Sequence, residues 1–229
     1  MEIIMKILII NPNSDPKMTE AIAKTARKFA QDEYEVLCLP TPGAPEFIET
    51  YEDSSQSAPG MIRLLKENEK IYDGFIVACH SDPNLDVMKE ITVKPVVGIG
   101  EASMKIASML GHKFSVISDT IHSIPNKEDL ARKYHLDKVL ASVRAPLEKN
   151  ESDSEKTIYT EVARKAIEKD AAEVIVLGCA GLTGMDKPLQ AAVGIPVLDG
   201  IICALIIVSG LIRYGVSTSK LRKYNPHAD

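Results

Sequence analysis

Two short stretches decide how this chain folds: Ile76-Val-Ala-Cys-His-Ser-Asp-Pro83 and, about a hundred residues on, Val176-Leu-Gly-Cys-Ala-Gly181. In each, an uninterrupted apolar run ends in a cysteine, and small or polar residues follow. An apolar run of this length, bounded by turn residues, reads as a strand buried on both faces, as in a parallel sheet. Cys79 and Cys179 therefore stand at strand ends, at equivalent points of two units.

The flanking sequence repeats the same order of elements. Lys6–Ile10 is a buried-strand run, broken by Asn11-Pro-Asn-Ser-Asp-Pro16. A helix follows, with an apolar stripe of Met18, Ile22, Ala26 and Phe29. Glu35–Leu39 reads as a second strand, and Pro40-Thr-Pro-Gly-Ala-Pro45 as a rigid loop. After a polar segment, Met61, Ile62, Leu64 and Leu65 mark another helix. Gly74–Ala78 leads into Cys79, and Asp82-Pro83 reads as a helix start with Asp82 as N-cap. Pro95–Ile99 is a fourth strand, and Gly100 opens a helix that stops near Gly111. The order then restarts with strands at Lys113–Ser118 and Val139–Val143. A helix over Thr157–Asp170 follows, on Ile158, Val162, Ala166 and Ile167, then a strand over Glu173–Gly178. Pro196-Val-Leu-Asp-Gly200 answers Pro95-Val-Val-Gly-Ile99. Cys79 to Pro95 spans 16 positions and Cys179 to Pro196 spans 17.

This is the pattern of an α/β chain of two pseudo-symmetric lobes, residues 1–100 and 101–199, each a parallel sheet flanked by helices. Ligands of open parallel sheets bind beyond the carboxyl ends of the strands, so the site is expected in the cleft between the lobes.

The 229 residues carry a formal net charge of -5, which gives no footing for nucleic acid or an anionic membrane as partner. The start, Met1–Ile10, has neither a basic leader nor a small-residue cleavage site, and Met5 offers an alternative start. The most apolar stretch, Gly200–Ile212, falls short of the roughly 20 residues that span a bilayer. Four cysteines without a secretory leader point to free thiols and a cytoplasmic location.

Inverting a carbon acid requires a base on one face and an acid on the other. A thiol, with an ordinary pKa of about 8.5, serves in either role near neutrality. Cys79 precedes an expected helix N-terminus, which favours a thiolate; the helix start after Cys179, near Asp186 and Pro188, is further off. Backbone N–H groups of His80, Ser81, Ala180 and Gly181 could hold an enolate oxygen. The competing reading is inert packing, common for free cysteines, and it is the one given to Cys38 and Cys203. Asn11 and Asn13, after the first strand, offer amide donors and acceptors to a ligand, or simply cap the turn. Ser118 holds the equivalent place in lobe two, as a ligand contact or an N-cap. The His80 ring should point away from Cys79, leaving its N–H as the useful group. His80, Asp82 and Asp86 match no standard metal spacing, so no metal is expected. Gly98-Ile-Gly-Glu-Ala-Ser103 lacks the third glycine of a dinucleotide loop and reads as a turn. Asp199 caps the last helix.

Taken in order, Asn11-Pro12-Asn13, Cys79-x-x-Asp82-Pro83, Pro95-Val-Val-Gly-Ile-Gly-Glu-Ala102, Gly178-Cys179-Ala180-Gly181, Pro196-Val-x-Asp199-Gly200 and Thr218-Ser-Lys220 resemble the Asp/Glu/hydantoin racemase family, most of all its hydantoin and allantoin racemase branch. The resemblance implies a racemase without cofactor or metal, with Cys79 and Cys179 as the catalytic pair and a small molecule as substrate. It also implies a homo-oligomer and a C-terminal helix, within 200–229, that packs back onto lobe one. Gly43–Glu49 matches a pocket-lining segment of the family, which makes Phe47 and Ile48 substrate contacts. Phe47 stands where a small polar residue is common. The amino-acid racemase branch carries Asn-Thr and Thr-His after its two cysteines. His80-Ser81 and Ala180-Gly181 here imply a cyclic ureide, a 5-substituted hydantoin or allantoin, over a free α-carboxylate. The alternatives are a decarboxylase or cis–trans isomerase of a small dicarboxylate, and a non-catalytic two-lobed binding protein.

Overall fold

Ile7, Leu8, Ile9 and Ile10 have no exposed surface, so the first strand is covered on both faces, as its unbroken apolar run requires. A computed structural model describes residues 4–147 and 154–226; Met1 and residues 227–229 of the final segment lie outside the described residues. The protein is α/β and two-lobed. The first sheet holds β1 (Lys6–Asn11), β2 (Glu35–Pro40), β3 (Gly74–Val77) and β4 (Val96–Gly98), all parallel, in the order β2-β1-β3-β4. The second holds β5 (Phe114–Ile117), β6 (Leu140–Arg144), β7 (Val174–Leu177) and β8 (Val197–Leu198), also parallel, in the order β6-β5-β7-β8. The order reverses between β1 and β3 and again between β5 and β7. Such switch points open crevices beyond the strand ends, and Cys79 and Cys179 follow β3 and β7.

The helices are α1 (Pro16–Ala30), α2 (Tyr51–Asn68), α3 (Leu85–Ile91), α4 (Ile99–Leu110), α5 (Ile124–Lys133), α6 (Glu155–Asp170), α7 (Asp186–Val193) and α8 (Gly200–Tyr214). Along β1, side chains alternate between the two cores, as the strand period demands. Ile7 and Ile9 pack with α1 and α8, while Leu8 and Ile10 meet Met61 and Leu65 of α2 and Met88 of α3. On the second sheet, Ile175 and Leu177 pack with α6 and α7, whereas Val174 and Val176 meet Met104 of α4 and Leu130 of α5. Two helices cross between lobes. Helix α4 follows the first sheet but lays Met104 and Ala107 on the second, and keeps Ile99 and Ala102 in the first core. Helix α8 follows the second sheet and buries Ile201, Leu205 and Val208 in the first core. Beyond α8, Lys220 Nζ donates to the carbonyl oxygens of Lys89 and Glu90, where its charge meets the negative end of α3.

Several sequence expectations shift. Phe29 is 39% exposed and Ala30 takes the buried place, because the stripe of α1 steps from Ala26 by four residues. In α6 the inward position is Tyr159 instead of Ile158. The polar segment before Met61 is the first half of α2, started by a capping box between Thr50 and Asp53. The stretch between Ser118 and Val139, which had no assigned element, holds α5. Its buried residues are Lys127, Leu130 and Ala131, so a lysine interrupts the apolar face that would have marked it. Among the described residues no helix is long and apolar enough to cross a membrane.

Candidate active site

The walls of one small cavity come from the carboxyl ends of strands, the loops after them and the first turns of the helices those loops lead into. It encloses about 50 Å³ and brings Cys79 and Cys179 to one space. Asn13 comes from the β1–α1 turn, Met18 from the first turn of α1, and Phe47 and Ile48 from the loop before α2. Ala78 to Ser81 come from the end of β3, and Gly178 to Ala180 from the end of β7. The fifth wall is the β5–α5 segment, with Asp119, Thr120, Ser123, Asn126 and Lys127. The cavity shares Ile48, Glu49, Ser81 and Asn126 with a wider hollow of about 350 Å³ that leads outward. Across that mouth the Tyr51 hydroxyl donates to Asn126 Oδ1 at 3.2 Å, joining one lobe to the other.

The two thiols differ in setting, and in the opposite sense to the sequence expectation. Helix α3 begins only at Leu85, with Asn84 as its cap residue, so no helix N-terminus adjoins Cys79. Cys79 Sγ instead lies 3.2 Å from the Ser81 hydroxyl. Cys179 is itself the cap of a 3-10 turn, Ala180–Leu182, and its Sγ accepts the Gly181 N–H at 3.3 Å. Ala180 is buried in the core of the first lobe, which draws the Cys179 loop inward. Burial and the nearby Asp119 carboxylate push the Cys179 thiol up to about 12, against the pull of the Gly181 N–H. It therefore rests protonated. Alkylation of Cys179 by iodoacetamide is expected to be slow at about pH 8 and to rise about tenfold per pH unit toward pH 11. Peptide mass spectrometry over that range measures it; a rate that levels off near pH 8 contradicts the shift.

A carboxylate staples each cysteine loop to the helix beyond it. Asp82 was expected to cap α3. It has φ of 47° and turns its side chain to α4 instead, accepting from Gly100 N at 3.0 Å and Glu101 N at 2.6 Å. The Tyr134 hydroxyl donates to it at 2.5 Å. Burial lifts this carboxyl to about 6, with the three donors opposing. A Cβ on Gly98 would stand 2.2 Å from Asp82 Oδ1, so the glycines that mimic a dinucleotide loop make room for this contact. In lobe two the staple runs the other way. Asp199 caps α8 through Ile201 N, as expected, and also accepts from Thr183 Oγ1 and Gly184 N, all at 2.8 Å. Asp86 is engaged by Lys133, Lys223 and Tyr224. Asp82 and Asp86 are thus each held elsewhere than by a shared ion with His80.

Of the residues singled out from sequence, Asn13, Phe47, Ile48, Cys79, His80, Ser81, Cys179 and Ala180 line the cavity, and Asn11, Ser118 and Gly181 do not. Asn11 is fully buried behind Asn13, donating to its Oδ1 at 2.6 Å and to Thr19 Oγ1 at 2.9 Å. Ser118 shares a hydrogen bond with Ser123. Gly181 spends its N–H on sulfur. The His80 ring turns toward α4, with Nε2 3.2 Å from Ser103 Oγ and Nδ1 unpartnered. Ser103 Oγ donates to Ile99 O at 2.7 Å, so His80 Nε2 is the donor between them. Burial and then Lys127 hold His80 well below its usual pKa, in the neutral form. Among the described residues no group of three or more His, Cys, Asp or Glu is arranged to hold a metal ion. The whole β5–α5 wall went unread in the sequence. The available signal was Pro125 in the first turn of a helix with Lys127, Leu130 and Ala131 on one face.

A model of the family described as Asp/Glu/Hydantoin racemase matches residues 7–206. A hydantoin racemase of Pseudomonas sp. (strain NS671) is 35% identical over 226 residues, covering 96% of this chain and 91% of its own. An allantoin racemase of Pseudomonas fluorescens, a solved structure, is 33% identical with a TM-score of 0.90 over 98% of each chain. The allantoin racemase of Klebsiella pneumoniae superimposes with a TM-score of 0.92 at 27% identity, over 98% of this chain and 94% of that one.

Proposed function

The chain belongs to the Asp/Glu/hydantoin racemase family, and we propose that it racemises 5-substituted hydantoins, or a related cyclic ureide such as allantoin, with Cys79 and Cys179 as its two bases. The observation that carries this reading is the meeting of two thiols, from equivalent strand ends of the two lobes, in one cavity. The ring enters between them with its stereocentre facing both sulfurs. For one enantiomer the Cys79 thiolate takes the proton from the ring carbon, and the C–H electron pair moves onto the adjacent carbonyl oxygen. Cys179, which rests as the thiol, returns a proton to the opposite face. The other enantiomer uses the pair in swapped roles. Asn13, Phe47, Ile48 and the backbone of His80, Ser81 and Ala180 make the contacts to the ring and its substituent.

Support for a ureide over an amino acid comes from the walls, where Phe47, Met18 and Ile48 supply apolar surface. In heavy water, one solvent deuteron is expected at the ring stereocentre for each inversion. NMR and loss of optical rotation over a panel of enantiopure hydantoins, allantoin and aspartate check this. Inversion without deuterium uptake would rule out proton abstraction.

The same reading places residues 1–100 with the C-terminal helix in one lobe and 101–199 in the other, supported by the packing of α8. It takes the enzyme to be a cytoplasmic homo-oligomer. Exposed apolar residues on the adjoining α4 and α8, Met109, Leu110 and Ile206 among them, support self-association.

A further inference from the structure

On the racemase reading above, we propose that Lys127 is a further catalytic residue, whose ammonium holds the negative charge that gathers on the ring carbonyl oxygen when the stereocentre is deprotonated. Lys127 lies in the first half of α5, is only 5% exposed, and lines the same cavity as both thiols. Among the described residues it has neither an ion pair nor a side-chain hydrogen bond. Glu49 and Asp119 line the cavity too, yet neither pairs with it. Its ammonium thus has no counter-ion among the described residues that line the cavity. A ligand that develops negative charge in the cavity supplies the missing partner.

Two neutral donors beside the cavity are committed to sulfur. The Gly181 N–H points at Cys179 Sγ, and the Ser81 hydroxyl engages Cys79 Sγ. They stabilise the two ends of the reaction, and the charge on the oxygen in the middle calls for a charged donor beside the neutral ones. His80 is neutral, so among the described residues lining the cavity Lys127 is the one cation. Its field reaches both sides, since it acts on Cys179 and on His80 beside Cys79. During inversion the negative charge starts on one sulfur, passes to the oxygen as the C–H bond breaks, and ends on the other sulfur. The total charge of the pocket is constant throughout. A fixed cation in the cavity that both sulfurs share thus needs no reorganisation as the charge moves, the condition under which such a group accelerates a reaction most.

Lys127→Met and Lys127→Arg test this. The methionine variant is expected to lower kcat for hydantoin racemisation by about 10²-fold and leave KM for the neutral ring within about threefold. Arginine should restore part of the loss. Barbiturate, a planar ureide anion at neutral pH, stands in for the enolate, and its affinity should fall on the same order in Lys127→Met. Should that variant not fold, the Lys127 Cε resonance of ¹³C-lysine wild-type protein decides, shifting on barbiturate addition if the contact exists. Racemisation and barbiturate binding both within threefold of wild type in Lys127→Met, or an unmoved resonance, overturn the assignment of Lys127 alone. A wild type that racemises no hydantoin overturns the racemase reading, while the barbiturate measurements still decide whether Lys127 holds an anion.

Discussion

Replacing either Cys79 or Cys179 by alanine is expected to abolish inversion, a loss on the order of 10³-fold or more in racemisation rate. The two variants should differ in what survives. Without Cys179, Cys79 still reaches one face of the ring. It can take the proton and return a solvent deuteron from the same side, so one enantiomer exchanges with retention of configuration. Without Cys79, exchange of the other enantiomer depends on Cys179, whose thiol is pushed up to about 12 by burial and Asp119. That exchange should be much slower near neutrality and should climb with pH toward the shifted value. Wild-type enzyme shows no such asymmetry in kcat/KM, because the two enantiomers are equal in free energy in achiral solvent. Following each enantiomer by chiral chromatography and ¹H NMR in heavy water separates these outcomes. Full inversion in either variant would discard the two-thiol mechanism.

Why the thiols were legible and their surroundings were not has a physical cause. Strands β1, β3, β5 and β7 are buried on both faces, and that constraint writes itself into the chain as unbroken apolar runs. Their repetition, with a cysteine after β3 and β7, was enough to give two sheets and one cleft. Side-chain direction beyond a strand end carries no such mark. Asn11 and Asn13 are two residues apart and chemically identical. Asn11 faces inward and donates to Thr19, one turn into α1, while Asn13 lines the cavity. Asp82 precedes Pro83 as an N-cap would, yet its partners lie 18 and 19 positions on, at Gly100 and Glu101. Lys127 was invisible for the opposite reason. A lysine on a short helix ordinarily marks the solvent face, and here it lines the cavity.

Asp82→Ala is expected to be the most destabilising single change in the cysteine loops. It removes the acceptor shared by two backbone N–H groups and the Tyr134 hydroxyl, in a place where water cannot replace it. Each buried donor left without a partner costs about 1–3 kcal/mol, so a total of about 3–5 kcal/mol is expected. For a chain of this size that corresponds to a fall in Tm of roughly 10 °C or more. Tyr134→Phe removes one donor along with its need for an acceptor, and should cost only about 1 kcal/mol. Thermal melts of the two variants side by side test the ordering. Equal losses would show that Tyr134, and not the start of α4, is what Asp82 secures. The change should also loosen the Cys79 loop, because the same side chain fixes the residue three positions after the thiol.

The crossing of α8 onto the first sheet bears on how the chain is made. As the polypeptide emerges from the ribosome, β1 to β4 are complete more than a hundred residues before Ile201, Leu205 and Val208 arrive to cover one face of the sheet. Until then Ile7, Ile9 and Ile76 have α1 but not α8 against them, so one of the two cores that flank the first sheet stays unfinished. Helix α4, in turn, carries Met104 and Ala107 outward before the second sheet that they serve exists. The two halves are thus interlocked, and completion of the first is tied to the last helix. Contacts of such long sequence separation slow folding. They also ensure that a chain cut short before α8 leaves apolar surface bare for quality control to find.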